Sequence, residues 1–361
     1  MDGVTFTNPI TDLVKEYRIK CSHYLSFTKK LEHLLKELLQ EKGISVVSVT
    51  SRVKPESSFK RKIVDGKYSR LEDVTDISGV RIVTFFADDV DTIAKIVKAE
   101  FVVDPTRSVD KRELLDADRF GYLSLHYIVK LSADRLKLTE YSQFSDCTAE
   151  IQIRSVLQHA WAEIEHDLGY KSKQAVPKEI RRRFSRVAGL LEVADTEFIQ
   201  IRRDLHKYEK NVPQQISKTP EAVSIDKASL TAFIRTNPTV MKLDSTIASL
   251  MKAKLDDAHV DESDLQRLEY FGMKTIGDID CLLRENEELI TEFSKRWVDE
   301  QFENVDRGIS IFYFIYILAA RKGSKSEIIR YLDTFNIGSV NETTADIAED
   351  IQKIYDEISG K

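Results

Sequence analysis

At 361 residues the chain is long enough for two domains, each with a sizeable core. Charged residues make up 32% and hydrophobic ones 42%, an ordinary soluble balance, and a net charge of −6 argues against a protein that coats nucleic acid indiscriminately. Cys21, Cys147 and Cys281 stand far apart with no C-x-x-C pair, so neither a disulfide framework nor a zinc site is expected, and a reducing, cytoplasmic setting fits.

The opening MDGVTFTNPITDLVKEY has no basic stretch followed by an apolar one, so no secretory signal is expected. Helical spacing runs through 11–42, with Leu13, Tyr17, Ile19, Tyr24, Leu31, Leu34 and Leu38 on the repeat and Gly43 as the stop. ISVVSVTSRVK alternates as a strand, and PESSFKRKIVDG reads as a helix opened by Pro55 and closed at Gly66. VRIVTFF is a strand, DDVDTIAKIVKAEF an amphipathic helix, and 103–120 a long polar loop. LSLHYIVKLS and TAEIQIRS are strands, and a helix follows from Val156 to near Gly169. Short-range and crossover connections together predict an α+β fold, a mixed sheet with helices on its faces.

A helix is expected over 178–210, carrying nine Lys and Arg, which we read as a solvated face rather than a polyanion surface. Residues 211–226, with two prolines and few large apolar side chains, read as a linker. Beyond them 227–361 is rich in helical pattern and forms an α-helical C-terminal domain. Its apolar run at 309–320 is twelve residues, too short to span a bilayer, so no membrane association is expected. The stretch LEYFGMKTIGDIDCLLRENEEL, 268–289, faintly resembles a helix-hairpin-helix, against which plain helix packing is the stronger reading.

Four stretches could carry chemistry. In SRVKPESSFKRK, Arg52 and Lys54 share a strand face while Ser58, Arg61 and Lys62 follow on a helix, a gathering of cations and a hydroxyl that suits a polyphosphate. In DISGVRIVTFF, Asp76 stands before a strand as a metal ligand or a turn cap, Gly79 permits close backbone approach, and Arg81 enters the strand. In RFGYLSLHY, Tyr122 could stack on a base, and Ser124 and His126 share its strand face. In EIQIRS, Glu150, Gln152 and Arg154 share one face and Ile151 and Ile153 the other. A polar row in an apolar sheet is costly to bury without partners, so a covered face implies a ligand and an open one mere alternation. On the next helix Trp161, Ile164 and Leu168 form an apolar stripe, with Gln158, Glu165 and His166 as bracing groups.

Each signal has a bland reading, but their order does not. R-x-K-x-x-x-S-x-x-R-K, D-I-x-G-x-R, G-Y-x-S-x-H, and E-I-Q-I-R-S with an A-W-A-E-x-E-H helix resemble the RelA/SpoT synthetase domain over roughly 45–172. The resemblance implies a nucleotidyltransferase-like mixed β-sheet with flanking helices. It divides the chain into an N-terminal helical segment 1–43, a synthetase domain 44–210, a linker 211–226 and the helical domain 227–361. It also implies an ATP-dependent pyrophosphotransferase that builds (p)ppGpp on the ribose 3′-hydroxyl of GDP or GTP. Carried over, Arg52, Lys54, Ser58, Arg61, Lys62 and Arg81 would bind ATP. Asp76 and Glu150 would be catalytic and hold Mg²⁺, with Glu150 also the base for the hydroxyl. Tyr122, His126, Gln152, Arg154, Lys111 and Arg119 would bind the acceptor.

The chain departs from the pattern at Asp118, where many relatives carry a lysine for acceptor phosphates. Lys111, Arg112 or Arg119 would have to substitute. This leaves open a toxin-type relative that pyrophosphorylates tRNA 3′ ends or makes adenosine alarmones, restrained by its C-terminal domain. The only His-Asp pair, His166-Asp167, falls inside the synthetase motif, so no alarmone hydrolysis is expected. Association into a homo-oligomer is left open.

Overall fold

The computed structural model describes residues 9–66, 68–110, 124–168, 177–338 and 343–360. Two compact units divide the chain, Met1–Arg202 and Arg203–Lys361. No described helix is long and apolar enough to cross a membrane.

The first unit opens with α1, Pro9–Glu41, whose Tyr17, Tyr24, Phe27, Leu31 and Leu35 are buried at helical spacing. Gly43 ends it in the left-handed region at φ +65°, and Ile44 N–H returns to Leu39 O at 2.9 Å, the closure that a glycine past the helix end allows. There follow β1 (Val46–Val53), α2 (Glu56–Asp65), β2 (Ser78–Thr84), α3 (Ala87–Glu100), β3 (Phe101–Val103) and β4 (Val109–Asp110). Then come β5 (Leu125–Leu131), α4 (Ala133–Leu136), β6 (Ala149–Ser155), α5 (Val156–Asp167) and α6 (Lys178–Lys218), whose last turns belong to the second unit.

The described strands of this unit form a mixed sheet in the order β1-β2-β6-β5-β3, with β4 also on β5. β2 and β6 are parallel, and the other pairs are antiparallel. The two-residue period sorts the side chains. Val80, Ile82, Ile151, Ile153, Tyr127 and Val129 face a core shared with α1 and α3, leaving the opposite face to polar residues.

Several boundaries differ from the sequence reading. α1 is not a separate N-terminal segment: its apolar stripe completes the core of the sheet. The strand expected over 80–86 runs Ser78–Thr84. β3 and β4 were hidden in an expected helix end and loop, because strands of three and two residues carry no periodic signal. The linker expected over 211–226 is helical to Lys218 despite Pro213. Val212 and Ile216, one turn apart, enter the core of the second unit and hold the chain in helix. The stripe on α5 is also corrected: Trp161 is buried, whereas Ile164 and Leu168 are exposed.

The second unit continues with α7 (Lys227–Thr236), α8 (Pro238–Met251), β7 (Lys254–Asp256), α9 (Glu262–Tyr270), α10 (Ile276–Glu285) and α11 (Glu287–Trp297). It closes with β8 (Asn304–Asp306), α12 (Ile309–Arg321), α13 (Lys325–Thr334) and α14 (Thr344–Ser359), and β7 pairs with β8 in parallel. Phe233, Ile247, Phe293, Phe314 and Leu332 are fully buried in its core, with Asp244 and Ser310 buried among the polar residues. The α9–α10 hairpin turns at Gly272, φ +80°. Thr275 and Asp278 cap the start of α10, and Ile276 N–H donates to Val223 O at 2.8 Å. Those amides are spent on the fold, so plain packing is the reading that stands.

Candidate active site

Pairing aligns the functional side chains in two rows across the polar face. Thr50, Arg81, Gln152 and His126 stand opposite one another on β1, β2, β6 and β5. Arg52, Gly79 and Glu150 form the neighbouring row. A Cβ on Gly79 would meet Arg52 O at 3.8 Å, an ordinary contact. The glycine is therefore not demanded by backbone approach, but it borders a cavity that a side chain would narrow.

A cavity of about 530 Å³ gathers the basic motif: Arg52, Lys54, Ser58, Arg61 and Lys62 line it, with Tyr68 and His166. Pro55 starts α2 immediately after β1, so strand-end and helix-start cations meet there. The Tyr17 hydroxyl donates to Lys54 O and Lys54 N–H to Ile77 O, which pins this corner to α1 and to the approach of β2. Lys54 Nζ and Lys62 Nζ lie 2.9 and 2.8 Å from the two oxygens of Asp76. Burial would lower Lys62, but the pairing with Asp76 outweighs it and holds the ammonium above its ordinary value.

Beside it, a cavity of about 180 Å³ is lined by Arg52, Asp76, Arg81, Glu150, Gln152 and Glu163, among others. Glu150 accepts from Gln152 Nε2 at 2.9 Å and stands 2.7 Å from His126 Nδ1. His126 Nε2 is 2.8 Å from Ser124 Oγ, and Arg154 Nη2 donates to Gln152 Oε1 at 3.0 Å. The polar row is thus one hydrogen-bonded chain from Ser124 to Arg154. Burial would raise the Glu150 carboxyl, but His126, Gln152 and Lys62 overcome it and hold it at about 2. Arg154 is 8% exposed. Its Nε and that of Arg81 are buried with no hydrogen-bond partner among the described residues. Buried N–H groups normally find an acceptor, so two unmet guanidinium donors mark a place for anionic oxygens.

α5 supports this face. Ser155 caps it and Gln158 closes the box, with Ser155 Oγ also donating to Asp195 Oδ2 at 2.8 Å. Glu163, one of the motif's glutamates not singled out from the sequence, accepts from Arg81 Nη1 at 2.8 Å. Ser124, placed on the strand face of His126 by its two-residue spacing, is the partner of that histidine, whereas Tyr68, a wall of the basic cavity, stands at no revealing spacing. Tyr122, Lys111 and Arg119 lie outside the described residues. On α6, Arg202 is tied down rather than free: it reaches Asp88 and Asp89 at 2.6 and 3.1 Å and lies over the Phe86 ring.

The family described as a region found in RelA / SpoT proteins matches residues 51–175. The chain is 31% identical over 166 residues to the GTP pyrophosphokinase YjbM of Bacillus subtilis (strain 168), a span of 44% of this chain and 73% of that protein. The chain belongs to the RelA/SpoT family. It is accordingly an enzyme of the GTP diphosphokinase type. A second family relative, the GTP pyrophosphokinase YwaC of the same organism, is 28% identical over 135 residues, 37% of this chain and 60% of that protein. Among solved structures, a GTP pyrophosphokinase family protein from Streptococcus pneumoniae aligns with a TM-score of 0.44 at 29% identity, covering 53% of this chain and 95% of that one. The small alarmone synthetase 1 from Bacillus subtilis, bound to its product pppGpp, aligns with a TM-score of 0.44 at 25% identity, covering 54% and 99%. The matched region ends before α6, and the second unit lies beyond it.

Proposed function

We propose that the chain transfers the β,γ-pyrophosphoryl group of ATP to the ribose 3′-hydroxyl of GDP or GTP, yielding (p)ppGpp and AMP. The observation that carries this is the joint geometry on one sheet face. A cation-lined cavity adjoins a second that holds Asp76 and Glu150, and Arg52 borders both.

Asp76 and Glu150 are hard oxygen donors on one cavity, the donor set that Mg²⁺ takes when substrate phosphates complete its shell. The bound ion would offset charge on the phosphates in transfer. Arg52, Lys54, Ser58, Arg61 and Lys62 would hold the ATP phosphates, with Lys54 and Lys62 turning from Asp76 to them. Arg81, freed from Glu163, and Arg154 would offer their unmet donors to nucleotide oxygens, and Gln152 and His126 would keep Glu150 in place. A carboxylate held at about 2 is a weak base. Its main task would therefore be to hold the metal and align the hydroxyl, taking the proton late in a transfer that demands little base assistance.

The test is the fate of ATP. Purified chain with Mg²⁺, ATP and GDP should release AMP in step with a guanosine product two phosphates richer, and a chelator should stop both. Release of ADP or of free phosphate instead would overturn the reading.

A further inference from the structure

Cys147 is buried in the turn before β6, and the fold brings to it a histidine from far along the chain. His23 Nε2 of α1 lies 3.5 Å from Asp146 Oδ1, and Cys147 Sγ lies 3.7 Å from the same oxygen. The three atoms all stand within 4.8 Å of one another. We infer that His23, Asp146 and Cys147 form a site for a divalent, sulfur-accepting cation, zinc by its donor set, which clasps α1 to the turn that feeds the catalytic strand.

Imidazole nitrogen, carboxylate oxygen and thiolate sulfur are the ligands zinc takes. Bonds of about 2.0–2.3 Å at tetrahedral angles set neighbouring donors roughly 3.3–3.6 Å apart. Two edges of the triangle already stand near that span. The third, between the His23 nitrogen and Cys147 Sγ, stands within 4.8 Å and would close by up to roughly 1.2 Å through motion of the partly exposed His23 ring. The surroundings hold the donors. The His23 ring tilts against Phe144 at 5.1 Å, and Cys147 N–H donates to Phe144 O at 3.1 Å, closing the turn. Lys20 Nζ lies 3.8 Å from the other oxygen, Oδ2, leaving Oδ1 to the cation. Solvent reaches Asp146, so water can fill the fourth position. The site is separate from the nucleotide cavities, though Glu150 lies three residues on.

Without a metal the Cys147 thiol donates to Asp146, and the His23 ring stands beside the same carboxylate oxygen. Burial, then Asp146, pushes that thiol up to about 12, so it is protonated. Metal entry therefore exchanges an S–H bond for a metal–sulfur bond and releases one proton to solvent. The sequence argued against zinc because no two cysteines are paired. It could not show that a helix and a turn supply the missing ligands.

The experiment is equilibrium dialysis of the full chain against zinc, with cobalt as a spectroscopic probe. One zinc per chain is expected, with one proton released and a thiolate-to-cobalt charge-transfer band. His23→Ala and Cys147→Ser should weaken binding more than the roughly 10- to 100-fold that outer partners of a metal site carry, and Cys147→Ser should abolish the band. Cys21→Ser and Cys281→Ser should change neither. Since Cys147→Ser removes a buried group, His23→Ala at its partly exposed position decides if that variant does not fold. Absence of stoichiometric zinc, binding that survives His23→Ala, or a band that follows Cys21 or Cys281 would overturn the site.

Discussion

In the first unit, polar side chains meet in the middle of strands; in the second, they sit at the ends of helices. Glu150, Gln152, Arg154 and His126 lie across a sheet whose other face is the core, and the chain they form ends in the Arg154 guanidinium, whose Nε has no partner among the described residues. In the second unit Asn237 accepts from Thr239 and Val240 N–H at the start of α8 and donates to Asp280. Asp244 accepts from Gly308 and Ser310 N–H at the start of α12. Burial of a polar group at a helix end is offset locally by amides that need a partner. Burial along a strand has no such local remedy, since the backbone is already paired, and the remaining demand points outward to a ligand.

The sharpest way to break this comparison is Glu150→Gln. It should lower kcat for pyrophosphate transfer by about 10²–10⁴-fold in a variant that is less stable but still folded at the assay temperature. A large drop in stability with modest loss of turnover would make the strand row structural after all. In the second unit Phe233, fully buried, should show the converse. Phe233→Ala should cost about 3–5 kcal/mol in urea unfolding of that unit.

Acid titration separates the units by sign. Glu150 has a folded value of about 2, below its ordinary 4.5, so its contribution is present above the ordinary value and lost as pH falls from 4.5 toward 2. That is worth on the order of 3 kcal/mol. Burial holds Asp244 above its ordinary value despite the Gly308 and Ser310 amides. Its contribution is therefore present at low pH and lost as pH rises through its folded value. Unfolding of Glu150→Gln and Asp244→Asn beside the parent, as a function of pH, should give differences that slope in opposite directions. Slopes of the same sign would remove the contrast.

Smaller effects calibrate the rest. Asn237→Ala removes a cap with two amide partners and should cost about 1–2 kcal/mol of stability, without direct loss of nucleotide binding. Ile164→Ser, on the exposed side of α5, should shift stability by no more than about 0.5 kcal/mol. A larger loss would restore the apolar stripe expected from the sequence.

The polar face was readable because strand alternation is a local pattern: EIQIRS announces two faces by itself, and the pairing of β1, β2 and β6 only aligns them. The basic motif was readable for a similar reason, since Pro55 joins strand and helix within one short stretch. Whatever depended on distant partners was not. Periodicity marked α1 as amphipathic but not that the sheet of the first unit covers it. Pro213 suggested a break, yet burial of Val212 and Ile216 in a core formed far downstream outweighs it. Ile164 and Leu168 share a helical repeat with Trp161 but are exposed, because a repeat does not say how wide the covering surface is.

The central claim is best tested by following the γ-phosphate. ATP labelled there would be incubated with purified chain and Mg²⁺, with GDP, GTP, ATP and bulk tRNA offered in parallel and Glu150→Gln as the control. The account predicts label on GDP or GTP, lost in the variant. Label on tRNA or ATP alone would mean a different acceptor, and label on GDP or GTP undiminished in Glu150→Gln would contradict the site itself.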